Sequence, residues 1–259
     1  MRKVILIGGG GFIGQHVARF LINDGNKVVM LSRNINGNSV AIDPSIDVYH
    51  GDYGDREFLR SVLSGANAVI HLAHDSLQLN QICDMTVEYQ RNIAPALQLM
   101  EECIIAGVEK FVFVSSGGTV YGNPASRKPL KEDMAPLPIS LYGTSKLCIE
   151  NMVHLYSRQR GLPGLVVRPA NAYGPGQIPF KGQGLVATAF ASAMQGKSIT
   201  IFGDGGAVRD YVHVDDIAYA IAGLLKDGKV GEVYNIGSGV GTSVLELVQE
   251  HILPIVKQA

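Results

Sequence analysis

Val4-Ile5-Leu6-Ile7-Gly8-Gly9-Gly10-Gly11-Phe12-Ile13-Gly14 decides the fold. An apolar, β-branched run leads into a glycine-rich turn, and residues 12–23 then have helical spacing. Glycines at 8, 11 and 14 have the GxxGxxG spacing. It lets the backbone turn tightly, approach a pyrophosphate, and pack the helix close to the strand. A glycine turn alone is a weak signal. Its position between a buried strand and an amphipathic helix makes Gly8, Gly11, Phe12, Ile13 and Gly14 a candidate dinucleotide site.

Outward from this stretch, short β-branched runs at 28–31, 48–50, 68–72, 111–114 and 165–167 alternate with helical patterns at 55–63, 90–106 and 145–158. Strict alternation implies right-handed crossovers and a doubly wound parallel α/β sheet of the Rossmann type over residues 1–168. Beyond Pro169 the rhythm changes. Pro169, Pro175, Pro179 and a dense run of glycines indicate long loops around a helix at 185–194. Ordered structure is expected to resume at 198–202, 215–225 and 233–236. Residues 169–259 therefore read mostly as a small, discontinuous substrate-binding lobe, with some elements returning to the sheet.

The 259 residues carry 22 Lys+Arg and 23 Asp+Glu, a net charge of −1, so no basic stripe points to nucleic acid. No apolar run reaches the roughly 20 residues of a membrane span. Met1-Arg2-Lys3 leads straight into the first strand, without the apolar stretch and cleavage site of a signal peptide. Cys83, Cys103 and Cys148 are far apart and read as free thiols. A cytoplasmic protein is the expectation. His71, His74 and His213 have no metal-ligand spacing with an acidic or Cys partner and read as structural or loop residues.

Two further stretches carry chemistry. The end of the second strand reads Leu31-Ser32-Arg33-Asn34, with no acid to bind a ribose 2′-hydroxyl. Ser32 and Arg33 could instead take a 2′-phosphate, which favours NADP over NAD, although Arg33 also reads as a solvated loop charge. Tyr142-Gly143-Thr144-Ser145-Lys146 is a YxxxK motif, and on a helix its phenol and ammonium share one face. The cation is expected to lower the tyrosine pKa towards working pH.

These motifs resemble the extended short-chain dehydrogenase/reductase family, and within it the UDP-glucose 4-epimerase-like branch. The resemblance is carried by GGGGFIG (8–14), GDYGD (51–55), HLA (71–73), FVFVSSGGTVYG (111–122), YGTSK (142–146), RPANAYGPG (168–176), IFGDGGAVRDYVHVDD (201–216) and YNIGSG (234–239). It implies a nicotinamide cofactor and a UDP-sugar substrate. Asp52 and Tyr53 would lie by the adenine, and Leu72, Ala73 and Pro169 would line the cofactor. Asn92 would support the site, Lys146 would hold the nicotinamide ribose, and Tyr142 would be the general acid/base. Asn171, Leu185, Phe202 and Arg209 would contact the substrate's nucleotide diphosphate. Arg209 is a fitting pyrophosphate partner. Phe202 reads either as a stacking plane for a pyrimidine or as a strand residue packed in the core.

The chain departs from the family in two places. The family's catalytic Ser/Thr position, 25 residues before the tyrosine, is Gly117, leaving Ser116 or Thr119 to supply a hydroxyl. Members of the branch also continue beyond the position of Ala259. The resemblance therefore implies that part of the substrate lobe is missing, whether by truncation, as a natural fragment, or in a compact member. Gly118 and Thr119 stand where the family's dehydratases keep an acidic pair, so elimination is disfavoured and 4-epimerisation favoured. An NADPH-dependent keto-sugar-nucleotide reductase and a non-catalytic dinucleotide binder are the alternatives. The helices at 90–106 and 142–158 resemble the pair through which relatives form homodimers, and the apolar faces of Leu97, Met100, Leu147, Met152 and Leu155 read either as that interface or as a buried core.

Overall fold

The computed structural model describes residues 1–33, 43–75, 84–123, 128–181 and 184–258. Cys83 and Asn34 lie outside them, and Cys103 and Cys148 are free thiols. Strand β1 (Lys3–Ile7) alternates its side chains between two cores. Val4 and Leu6 face one way, onto Val17 and Leu21 of α1 (Phe12–Asn23) and Ile217 and Ile221 of α8 (Val214–Asp227). Ile5 and Ile7 face the other, among Leu59, Leu99, Phe111 and Val153. Both faces are dry, which is why the strand sequence is apolar throughout.

The remaining strands of the main sheet are β2 (Lys27–Ser32), β3 (Asp47–His50), β4 (Ala68–His71), β5 (Lys110–Val114), β6 (Gly164–Pro169) and β9 (Val233–Ile236). Their order is β3-β2-β1-β4-β5-β6-β9, and every pairing is parallel. The chain winds outward from β1 to β3, then resumes on the opposite side at β4. The strand order thus reverses beside β1, the place where such sheets bind ligands. The glycine turn sits there. Gly8 has φ +83, and a Cβ on it would come 2.7 Å from the Ala73 backbone. A Cβ on Gly14 would come 2.6 Å from the Gly9 carbonyl oxygen, so only glycine lets α1 start this close to the turn.

Helix α2 (Arg56–Leu63) begins after Asp55, which caps it by accepting from the Glu57 and Phe58 amides. The helical stretch expected at 90–106 begins earlier and is composite: α3 (Met85–Glu88), a π turn (Tyr89–Ile93) and α4 (Ala94–Ile105). Pro95 has no N–H for an ordinary helical bond, and the wider turn lies directly before it. Helix α6 (Leu141–Arg160) carries the YxxxK motif. It is capped by Ser140 and ends at Gly161 with φ +73.

Beyond β6 the chain forms a second sheet of β7 (Asn171–Tyr173), β8 (Val208–His213) and β10 (Gly241–Ser243), in the order β10-β8-β7. Helix α7 (Leu185–Met194) packs on the C-terminal helical run through Ala189, Leu247, Val248 and Ile252. The stretch 198–202, expected to be ordered, has no regular secondary structure. Ile199 and Ile201 pack into this cluster, but their backbone joins no ladder among the described residues. Among those residues, no helix is long and apolar enough to cross a membrane.

Because the Gly14 contact is with backbone atoms, Gly14→Ala is expected to lower the unfolding free energy by about 1–3 kcal/mol. It should also weaken dinucleotide binding. Urea denaturation followed by circular dichroism, with a cofactor titration, checks both.

Candidate active site

An open cleft of about 1210 Å³ runs along the carboxyl ends of β1, β2 and β4. It is lined by Gly8 and Gly11 of the turn, Ser32 and Arg33 after β2, Asp52 and Tyr53, and Leu72 and Ala73 after β4. The structure thus brings eight of the expected cofactor residues into one cavity. Helix α1 points its N-terminus at this end and has no side-chain cap, so its first-turn amides suit an anionic diphosphate. Gly14 packs against the turn, Phe12 lies edge-on to His16 at 5.9 Å, and Ile13 leans on the core. A nicotinamide dinucleotide fits this cradle: the turn would hold its diphosphate and Asp52–Tyr53 its adenosine.

Sequence reasoning missed the far wall of the cleft. His74, Asp75, Gln90, Arg91, Pro95 and Gln98 complete it. Residues 91, 95 and 98 recur at helical spacing, a signal that could have exposed this face. Arg33 does not point freely at solvent. Its Nη1 lies 3.3 Å from Asp75 Oδ2, which Arg91 also approaches at 3.6 Å. Asn92, in the π turn, accepts from the Asp75 amide at 2.7 Å and donates to Glu88 at 3.0 Å, tying this wall together.

Tyr142 and Lys146 do not line this cleft; they rise from the first turns of α6, where Tyr142 meets His74 of the cleft wall. Lys146 Nζ donates to the Val114 carbonyl at 2.9 Å, sits 5.0 Å from the Phe113 ring centroid, and lies 5.7 Å from the Tyr142 ring. Burial pushes its pKa down to about 8, against smaller upward pulls from Glu150 and Glu88. The expectation that Lys146 lowers the Tyr142 pKa does not hold. Tyr142 is held above its ordinary value, first by burial. A hydrogen bond with Ser116 pulls it down and Glu88 pushes it up. The ammonium is turned towards Val114 and Phe113, so desolvation of the phenol prevails.

Of the two candidate hydroxyls, that of Ser116 pulls the Tyr142 pKa down, whereas that of Thr119 is buried and has no hydrogen-bond partner among the described residues. Gly117 starts the short helix α5 (Gly117–Val120), and a Cβ there would lie 2.9 Å from the Arg168 carbonyl oxygen and 3.2 Å from that of Pro169. His71 is in the core between Tyr53 and Phe113, with burial lowering its pKa to about 3, and His213 caps α8. Both are structural, as expected. His74 is not merely a loop residue: it stands edge-to-face on Tyr142.

The expected substrate residues lie elsewhere. Asn171 Nδ2 donates to the Asp210 carbonyl at 3.3 Å, so it is next to the strand carrying Arg209. Arg209 is exposed, and its guanidinium bonds the Val208 carbonyl. Leu185 packs into the α7 cluster. Phe202 is 91% exposed, which rules out its reading as a core strand residue. None of the four lines the dinucleotide cleft.

The family model described as "NAD dependent epimerase/dehydratase family" matches residues 4–237, and the chain belongs to that family. It is 32% identical to a UDP-glucose 4-epimerase of Mycolicibacterium smegmatis over 251 residues, covering 95% of this chain and 80% of the relative. Its fold matches the UDP-glucose 4-epimerase of Thermotoga maritima solved with UDP-glucose, with a TM-score of 0.89 and 34% identity over 99% of this chain and 82% of that one. It also matches the UDP-glucose 4-epimerase of Thermus thermophilus solved with NAD, with a TM-score of 0.87 and 30% identity over the same shares.

Lys146 tests the site through stability. Its folded pKa of about 8 lies below the ordinary 10.5, so the cost of burying the ammonium is fully present below pH 8. That cost shrinks as pH rises between these two values and is gone above the upper one. Lys146→Met is therefore expected to raise the unfolding free energy near pH 7 by about 1–3 kcal/mol. The gain should fade towards pH 10. Denaturant curves at both pH values check this, and an equal gain at both would show that burial of the charge is not its cause.

Proposed function

We propose that this chain is a 4-epimerase of UDP-hexoses. The observation that carries this reading is the placement of Tyr142, the first residue of the YxxxK pair on α6, edge-to-face on His74 of the glycine-turn cleft wall. A nicotinamide dinucleotide bound in the cleft supplies a hydride acceptor that returns the hydride. Tyr142 takes the proton of the C4 hydroxyl as the C4–H leaves with its electron pair, and gives the proton back when hydride is returned to the other face. Ser116 orients the phenol and stabilises its charged form. Lys146, fixed by Val114, holds the cofactor's ribose. The lack of a carboxylate at Gly118 and Thr119 supports epimerisation over elimination.

The same reading assigns residues 1–168 to the cofactor and most of 169–259 to the sugar nucleotide, with Asn171, Leu185, Phe202 and Arg209 on its diphosphate and base. It takes homodimerisation through the outer faces of α4 and α6, where Leu147 and Leu155 remain half-buried. It takes NADP over NAD because β2 ends in Ser32-Arg33 without an acid, the feature that also favours an NADPH-dependent reductase as the second reading.

Purified protein with UDP-galactose or UDP-N-acetylgalactosamine and added NAD or NADP is expected to form the 4-epimer, detected by chromatography. Tyr142→Phe should lose turnover by at least about a hundredfold while still binding cofactor. Cofactor binding without epimer would sink the epimerase reading. Calorimetric titration is expected to show tighter binding of NADP than NAD, with the preference lost in Arg33→Ala; a preference for NAD would reverse that assignment.

A further inference from the structure

We propose that His74 and Glu88 form a buried positioning pair for Tyr142, in which His74 walls the phenol ring and Glu88 steadies His74 while placing a carboxylate behind it. The inference rests on the reading above only in taking Tyr142 as the acid/base. The rings of His74 and Tyr142 meet at 84°, with centroids 4.6 Å apart, closer than any other aromatic pair described. His74 Nε2 lies 3.2 Å from Glu88 Oε1, and the two side chains are only 7% and 4% exposed. The imidazole nitrogen makes no hydrogen bond among the described residues, so the contact is one of packing. Glu88 is held in turn by Asn92, which grips the Asp75 backbone at both ends.

This geometry gives the two residues different duties. Burial, reinforced by Lys146 and His71, pushes the His74 pKa down to about 2, so the imidazole is a neutral wall at any working pH. Glu88 supplies negative charge, which opposes the Tyr142 phenolate and favours the Lys146 ammonium. The other polar and charged groups around the pair are Ser116 at the end of β5, His71 in β4, and Lys146 and Glu150 on α6. Of these, Ser116 opposes Glu88 at the phenol, pulling its pKa down. A buried carboxylate behind the acid/base makes the phenol a stronger base once ionised and delays its ionisation. His74 keeps the ring on the cleft side.

The test uses the full chain with 3,5-difluorotyrosine incorporated at position 142, whose ionisation falls in an accessible pH range and is read by fluorine NMR without turnover. Glu88→Gln keeps the shape and the acceptor for Asn92 but removes the charge. It is expected to lower the titration midpoint by about one pH unit. In the natural enzyme the low-pH limb of kcat should shift the same way. His74→Ala is expected to lower kcat about tenfold with KM nearly unchanged, and His74→Phe, which restores a ring wall, to recover much of it. An unmoved midpoint in Glu88→Gln, or a His74→Ala enzyme with parental kcat, overturns the pair. A protein that shows the midpoint shift but makes no epimer leaves the pair standing and overturns the epimerase reading instead.

Discussion

The ion pair between Arg168 and Glu150 is the constraint on which the site depends. Arg168 Nη2 lies 2.6 Å from Glu150 Oε2, and its Nε donates to both oxygens at 3.1 and 3.2 Å. Arg168 is on β6 and Glu150 on α6, so the fork fixes the helix bearing Tyr142 and Lys146 against the sheet. Both side chains are almost wholly buried. Burial pulls the guanidinium's pKa down, yet the bonds to Glu150 and Tyr121 leave it raised. An unpaired charge here would cost about 3–5 kcal/mol, so the pair tolerates loss of neither partner.

The network satisfies the polar atoms it buries, which is what makes such a charge tolerable. Ser115 donates to Glu150, Arg168 donates to the Tyr121 hydroxyl at 2.7 Å, and Tyr121 donates to Asn235 at 2.8 Å. Asn235, on β9, donates from its side chain to the Leu130 carbonyl and from its backbone amide to Glu132. A chain of bonds therefore runs from the last strand of the sheet to the helix of the candidate acid/base. The late return of β9 to the main sheet has a physical consequence here: it closes the polar network from behind.

Much of this was legible in the sequence where one periodicity dominated. The glycine turn, the apolar strands, α7 and β9 could be read because burial on both faces, or along one stripe, imposes its pattern on the residues. Strand β8 could not, since Val208–His213 mixes charged, aromatic and half-buried positions and owes its register to β7 and β10. The C-terminal run had a readable signal that was overlooked, the Ser243…Glu246 capping box. In the site, YxxxK was visible as a helical pair. The Arg33–Asp75 contact and the Glu88–His74 contact join residues with no common periodicity, and only the folded chain brings them together.

Gly117 shows how the packing of the sheet accounts for the chemistry of the site. From sequence it reads as a missing hydroxyl. In the fold, helix α5 starts so close to the end of β6 that a side chain at 117 would press on the Arg168 and Pro169 carbonyls, the backbone of the residue that anchors α6. Accommodating a serine there would require β6 to move, and with it the ion pair. Ser116, in extended backbone just before the helix, is the candidate hydroxyl that pulls the Tyr142 pKa down. The Thr119 hydroxyl is buried without a hydrogen-bond partner among the described residues. The close packing of α5 on β6 and the exclusion of a side chain at 117 are two consequences of one backbone path.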